Sequence, residues 1–343
     1  MNASIQEPTA LQPHAATNAF GFGSKFKLLI RREFWENKGG FFWAPIITGI
    51  IASVFATIGM IIATIFIQKA KSNGDFTDHF KLDDVDGFKA LGAFGDGILA
   101  NGMILSMLVM IFVVFFYALG SLYDERRDRS VLFWKSLPIS DIEVVLSKAT
   151  WALVLAPVMA LVLGVLIGVG MWLIAAAGMA VNGIPGIGSF FTESHAFRIV
   201  GQFFSILPVY IMWSVPTIGW LMLCSAWSRR FPFLWAVLVP LLGCAMFSMT
   251  GLIFSAITGA EFPHGDIWYV VALRGLGSLI PGLWYASAVD AERVLQGTEG
   301  VSPQLDLTSS WAAFGTLDMW LGVAIGVAMI ALAIRLRRWR DEG

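Results

Sequence analysis

Long apolar runs separated by short charged tracts set the pattern of this chain. A helix needs about 20 apolar residues to cross about 30 Å of hydrocarbon. Six stretches qualify: 42–67, 98–122, 149–176, 199–224, 233–257 and 312–334. A further apolar stretch, 267–289, holds Arg274 near its middle and then Gly275, Gly277, Pro281 and Gly282. Non-helical backbone at membrane depth needs protein cover. That stretch therefore reads as a broken, re-entrant or interfacial helix pair on the outer side, between spans five and six. The expected fold class is all-α and integral to a membrane, with six transmembrane helices.

Lysine and arginine bias sets the expected orientation. With the N-terminus inside, the cytoplasmic segments carry Lys25, Lys27, Arg31, Arg32, Lys38, Arg126, Arg127, Arg129, Lys135, Lys148, Arg229, Arg230, Arg335, Arg337, Arg338 and Arg340. The outside keeps Lys69, Lys71, Lys81, Lys89, Arg198, Arg274 and Arg293. A seventh crossing would move the basic tail 335–340 outside, against the rule. The expected protein is thus a multi-pass protein of the plasma or inner membrane with both termini cytoplasmic.

The chain is expected to divide into a polar, disordered leader (1–23), an interface helix (24–41) and the six-span domain (42–343). Phe26, Leu29, Ile30 and Phe34 fall on one helical face, with Lys27, Arg31 and Arg32 largely elsewhere. This is the pattern of a helix lying against lipid headgroups. Ser24 is its expected N-cap, and Gly39-Gly40 its sharp turn into span one.

The tract 123–148 is the richest in charge. Asp124, Glu125, Arg126, Arg127, Asp128 and Arg129 close span two, and Val131, Leu132, Phe133 and Trp134 form a short apolar patch. Leu137-Pro138 breaks the chain. Ser140 and Glu143 have capping-box spacing for a new helix. Phe133 and Trp134 among charges have the composition of an interface hot spot; the alternative is a solvated linker with its aromatics in the headgroups.

Composition agrees with a membrane protein: 57% of the 343 residues are hydrophobic and 14% charged. Enzyme chemistry finds no footing. No phosphate-binding Gly-x-x-x-x-Gly-Lys-Ser/Thr and no zinc His-Glu-x-x-His occurs, and His14, His79, His195 and His264 all lie outside the spans. Cys224 and Cys244 sit in apolar runs and read as small buried hydrophobes. The acidic outer stretch 75–86 lacks the ligand register of a calcium loop. No catalytic residue, metal, cofactor or nucleic-acid partner is expected in this chain.

Ionisable residues inside a membrane usually mark ion or proton pathways. Only Arg274 and Asp318 qualify, which leaves an ion-driven transporter short of carboxylates and points to an energy source elsewhere. Pro157, Pro208, Pro216 and Pro240 can kink spans three to five. Gly164, Gly168 and Gly170 suit close helix packing.

The layout resembles the permease subunits of ABC type-2 exporters over residues 24–340. The resemblance is carried by the basic helix Lys25–Lys38 before span one and by the tract Tyr123-Asp-Glu-Arg-Arg-Asp-Arg129. Leu132-Phe-Trp-Lys-Ser-Leu-Pro-Ile-Ser140 follows, Lys148 opens span three, and a long outer cap separates spans five and six. It implies a homo- or heterodimer of permeases in lipid, above separate cytoplasmic ATPase subunits that hold the ATP and magnesium. It implies a coupling helix near Asp124–Ser140 seated on the ATPase, through Asp124, Glu125, Arg126, Arg127, Arg129, Phe133 and Trp134, with Arg31 and Arg32 as a second contact. Spans two and five would line the translocation path, nominating Asn101, Ser106, Phe247 and Thr250. The outer loop 68–97 is larger than the minimal family pattern.

The function expected is therefore ATP-driven export of an amphipathic or hydrophobic substrate. Its rivals are an ion-driven secondary transporter and a non-transporting membrane scaffold or assembly factor.

Overall fold

The computed structural model of the chain describes residues 22–73, 85–130, 139–184, 187–259, 262, 264–284 and 307–340. The leader up to residue 21, the acidic stretch 74–84, and Phe133 and Trp134 lie outside the described residues. Among the described residues there is no strand. A bilayer offers no water to satisfy backbone groups, and a helix bonds its own.

The helices are α1 (Phe22–Lys38), α2 (Ala44–Ser72), α3 (Val85–Gly120), α4 (Tyr123–Arg127), α5 (Asp141–Thr150) and α6 (Ala156–Val181). They continue as α7 (Ile187–Thr192), α8 (Ala196–Trp227), α9 (Val239–Thr258), α10 (His264–Trp268), α11 (Leu307–Ala312) and α12 (Leu317–Arg340). Among the described residues, six helical stretches are long and apolar enough to cross a membrane. The chain is a multi-pass membrane protein.

A π-helical turn precedes a proline three times: Gly39–Trp43 before Pro45, Trp151–Leu155 before Pro157, and Leu234–Leu238 before Pro240. Proline has no N–H and its ring crowds the carbonyl one turn back. A wider turn lets the helix absorb both without breaking. The sequence expectation of a sharp turn at Gly39-Gly40 is corrected here: α1 runs on through the π turn into α2, and the non-helical backbone is at Asn37. Ser24 is not an N-cap, since α1 already includes Phe22.

In lipid, apolar burial does little to drive helices together, so close backbone contact and polar links matter more. α3 packs on α6 and α8, and α8 packs on α12. The α3–α6 crossing needs glycine: a Cβ on Gly102 would lie 2.4 Å from the Gly168 Cα. The α8–α12 crossing does too, with a Cβ on Gly219 falling 2.5 Å from the Gly326 carbonyl oxygen. Gly164 also sits in the α3–α6 contact, whereas Gly170 faces open space. α2 and α9 ride on the outside, with Ile50, Phe55, Ile61, Phe66, Met246, Ile253 and Ile257 exposed.

Within the outer loop expected over 68–97, the described residues are mostly helical, because α2 extends to Ser72 and α3 begins at Val85. The Lys71 ammonium donates to the Asn182 carbonyl at 2.6 Å, and the Asn182 amide to Thr64 Oγ1 at 2.8 Å, tying the end of α2 to the end of α6.

Candidate functional site

α1, α4, the start of α5 and the end of α12 meet at one end of the bundle, which carries most of the basic residues. The apolar face of α1 turns toward protein. Leu29 is buried, and Phe34 stacks on Trp151 at 5.7 Å between ring centroids. The Trp151 indole N–H donates to the Ile30 carbonyl at 2.7 Å, and Phe41 stacks on the same indole at 5.0 Å. Leu28 and Trp35 occupy the exposed side of α1.

Beside this aromatic layer lies a buried ion network. Glu33, on α1, is 0% exposed. It accepts from Lys148 Nζ at 2.9 Å and from the Tyr117 hydroxyl at 2.8 Å. Glu125, 8% exposed, accepts through Oε1 from Arg32 at 2.8 Å and stands 3.1 Å from Lys148 Nζ. Through Oε2 it accepts from Arg337 Nη1 at 2.6 Å. Arg337 Nε donates in turn to Asp141 Oδ1 at 3.0 Å. Three carboxylates (Glu33, Glu125, Asp141) thus face three cations (Arg32, Lys148, Arg337) across four helices. Burial by itself would raise the Glu125 pKa. Lys148, Arg337 and Arg32 outweigh it and pull the carboxyl down to about 2. Such charges stay buried only because each has partners.

Arg126 plays a separate part. Its guanidinium donates to the Ser225 carbonyl and, at 3.2 Å, to the Ser228 carbonyl, satisfying the C-terminal end of α8. Ser225 Oγ accepts the Leu122 and Tyr123 N–H groups at 3.0 and 2.9 Å. The elbow after α3 and the end of α8 therefore close each other's open backbone groups.

Of the residues nominated for docking, Glu125, Arg126 and Arg32 are thus bonded to distant parts of the chain, whereas Asp124, Arg127, Arg129 and Arg31 are exposed, with Arg127 pairing only locally, to Asp124 at 3.3 Å and to Asp128 at 3.1 Å. Asp128 is exposed beside them, and Arg129 holds a left-handed φ of 56° where the helical turn ends. The capping box at Ser140 forms: the Glu143 N–H reaches Ser140 Oγ at 3.2 Å and the Ser140 N–H reaches Glu143 Oε2 at 2.7 Å.

The residues nominated for a path divide. Ser106 is buried and donates to the Ala160 carbonyl at 2.7 Å, so it pins α3 to α6 and does not face an opening. Asn101, Phe247 and Thr250 lie on exposed faces of α3 and α9. The Thr250 hydroxyl bonds back to the Met246 carbonyl at 2.9 Å. α3 and α9 are not a packed pair in the single chain.

Arg274 and Asp318 come together at the opposite half of the bundle. The π-helical stretch Tyr269–Leu276 lays Arg274 over the Trp213 ring, 3.8 Å from its centroid, with Nε 3.6 Å from Asp318 Oδ1. Arg274 Nη1 donates to the Trp213 carbonyl at 2.7 Å and to Ser278 Oγ at 2.9 Å. The Tyr269 hydroxyl donates to Asp318. The pair borders an apolar cavity of about 740 Å³ between α8, α9, α12 and this stretch, floored by Trp220, Phe247 and Ile325.

Sequence reasoning passed over Glu33, Tyr117, Asp141 and Arg337 as members of the network. One signal was available: Glu33 lies four residues after Leu29, on the apolar face of α1. Fold and site together define an all-α membrane protein, with six helical stretches among the described residues long enough to span and a charge-balanced joint at one end. Comparison with protein-family models, curated proteins and solved structures found no match.

Proposed function

We propose that this chain is the permease subunit of an ATP-driven exporter of the ABC type-2 class. The basic end would face the cytoplasm, and a separate ATPase would dock on the exposed tract Asp124, Arg127, Asp128 and Arg129. One observation carries the reading. That exposed tract is joined to α1, α5, α8 and α12 through Glu125 and Arg126, so force applied to it reaches several spanning helices together. A partner shifts an equilibrium only through a differential interaction with two states, and this joint would pass such a difference on to the spanning helices. The exposed polar positions on α3 and α9 fit a path completed by a second permease copy, homo- or heterodimeric. The apolar faces suit amphipathic or hydrophobic cargo, and ATP with magnesium would bind the partner.

The test is co-purification in mild detergent through a C-terminal tag, with D124A/R127A/R129A as the comparison. A P-loop ATPase recovered with the native chain and lost with the variant supports the reading. A stable native complex without an ATPase sinks it.

A second reading, an ion-driven transporter, draws on the Arg274–Asp318 pair at the apolar cavity. Transport that follows an ion gradient without ATP, and that D318N abolishes, would favour it.

A further inference from the structure

Beside the ion network, the start of α5 and the last turns of α12 enclose a groove of about 740 Å³. Its upper rim is cationic. Arg335 stacks over Trp339 at 4.5 Å, and Arg338 has no ion pair or hydrogen bond among the described residues. Arg337 and Asp141, which also face the groove, are paired with each other. Glu143 closes the capping box with Ser140. Among the described residues, Arg335 and Arg338 therefore have no carboxylate partner and leave two positive charges on the groove.

Below that rim the lining includes the apolar side chains of Ile142, Val144, Ala331 and Ile334. Ala331, Ile334, Arg335 and Arg338 share one face of α12, at helical spacing, opposite Ile142 on α5. Ile142 is 52% exposed. The same helix faces continue past the groove into Leu146 and Val327, both exposed. Trp339, an aromatic of the kind that settles at headgroup level, stands at the mouth. Two guanidiniums above an apolar slot match one ligand: a phosphate carrying hydrocarbon chains.

We propose that this groove is a binding site for an anionic glycerophospholipid, its phosphate on Arg335 and Arg338 and an acyl chain against Ile142 and Ala331. The inference is independent of the transport reading and goes beyond it. Guanidinium recognises phosphate through paired donors, and a basic groove between membrane helices adds affinity with each arginine near the headgroups.

The experiment is native mass spectrometry of the full chain titrated with phosphatidylglycerol or phosphatidylcholine. R335Q/R338Q is compared with R229Q/R230Q, which removes the same charge from exposed positions that do not line the groove. The native chain should prefer phosphatidylglycerol, and R335Q/R338Q should weaken its binding about 30-fold. R229Q/R230Q should leave it unchanged. I142W, which fills the slot without changing charge, should also displace the lipid, and inorganic phosphate should not compete. Equal losses in both arginine pairs, or no preference for phosphatidylglycerol, would reduce the groove to general surface charge and overturn the proposal. Full binding by I142W, or displacement by inorganic phosphate, would leave a bare anion site and overturn it as well.

Discussion

Arg337 donates to Glu125 at 2.6 Å across 212 residues of sequence, joining the last helix to the elbow after α3. Both side chains are buried, so the bond acts in a medium that screens it weakly. Lys148 and Arg32 share the same carboxylate, which makes Glu125 the point where α1, α4, α5 and α12 are held together.

Removing that carboxylate should therefore be severe. Glu125→Ala leaves Arg337 and Lys148 short of a counter-charge in a buried site, at an expected cost of roughly 3–5 kcal/mol. Asp124→Ala, exposed next door, should stay within about 0.5 kcal/mol. Thermal unfolding in detergent checks both, and similar losses would contradict the network's importance.

The same residue gives a pH dependence. The folded pKa of Glu125, about 2, lies below the ordinary glutamate value of about 4.3. The unfolded chain therefore binds more protons between those values. The contribution is fully present above about pH 4.3 and fades as pH falls toward about 2. The difference in melting temperature between the native chain and Glu125→Gln should accordingly shrink from about pH 6 to about pH 3. A gap that widens on acidification would reverse the sign of this argument.

Docking and folding should separate. In D124A/R127A/R129A the replaced side chains are all exposed, so melting temperature is expected to hold while ATPase capture and coupled hydrolysis fall. Arg126→Ala should instead lower the melting temperature, because the Ser225 and Ser228 carbonyls lose their donor. If the triple variant kept full coupled activity, the docking surface would lie elsewhere.

Gly322 should matter through Arg274. A Cβ at Gly322 would lie 2.0 Å from Arg274 Nη2, so Gly322→Ala must push the guanidinium off Trp213 and Asp318. A double-mutant cycle with Arg274→Gln is the check: the combined loss should fall well short of the sum. Additive losses would mean the glycine acts independently of Arg274.

Apolar run length made the six crossings legible but not all their ends: 199–224 became Ala196–Trp227 and 312–334 became Leu317–Arg340, whereas 98–122 became the much earlier starting Val85–Gly120. The capping box at Ser140 was legible because its spacing is local. The charged tract is legible in the sequence, but the roles within it are not. Asp124, Glu125 and Arg126 are neighbours with the same composition, yet one is exposed, one sits in an ion network and one closes the end of α8. Helical rotation turns successive residues by about 100°, so each meets a different surface.

The sequence by itself determined that this is an all-helical chain with six long apolar helices, because bilayer thickness and backbone hydrogen bonding act on each segment alone. Tertiary structure decided which charges are buried. Glu33 needs Lys148, Glu125 needs Arg337, and Arg274 needs Asp318, and each partner comes from a distant helix. A charge away from water is tolerated only where packing delivers its counter-charge, and that delivery depends on the crossing of helices, which no local pattern encodes.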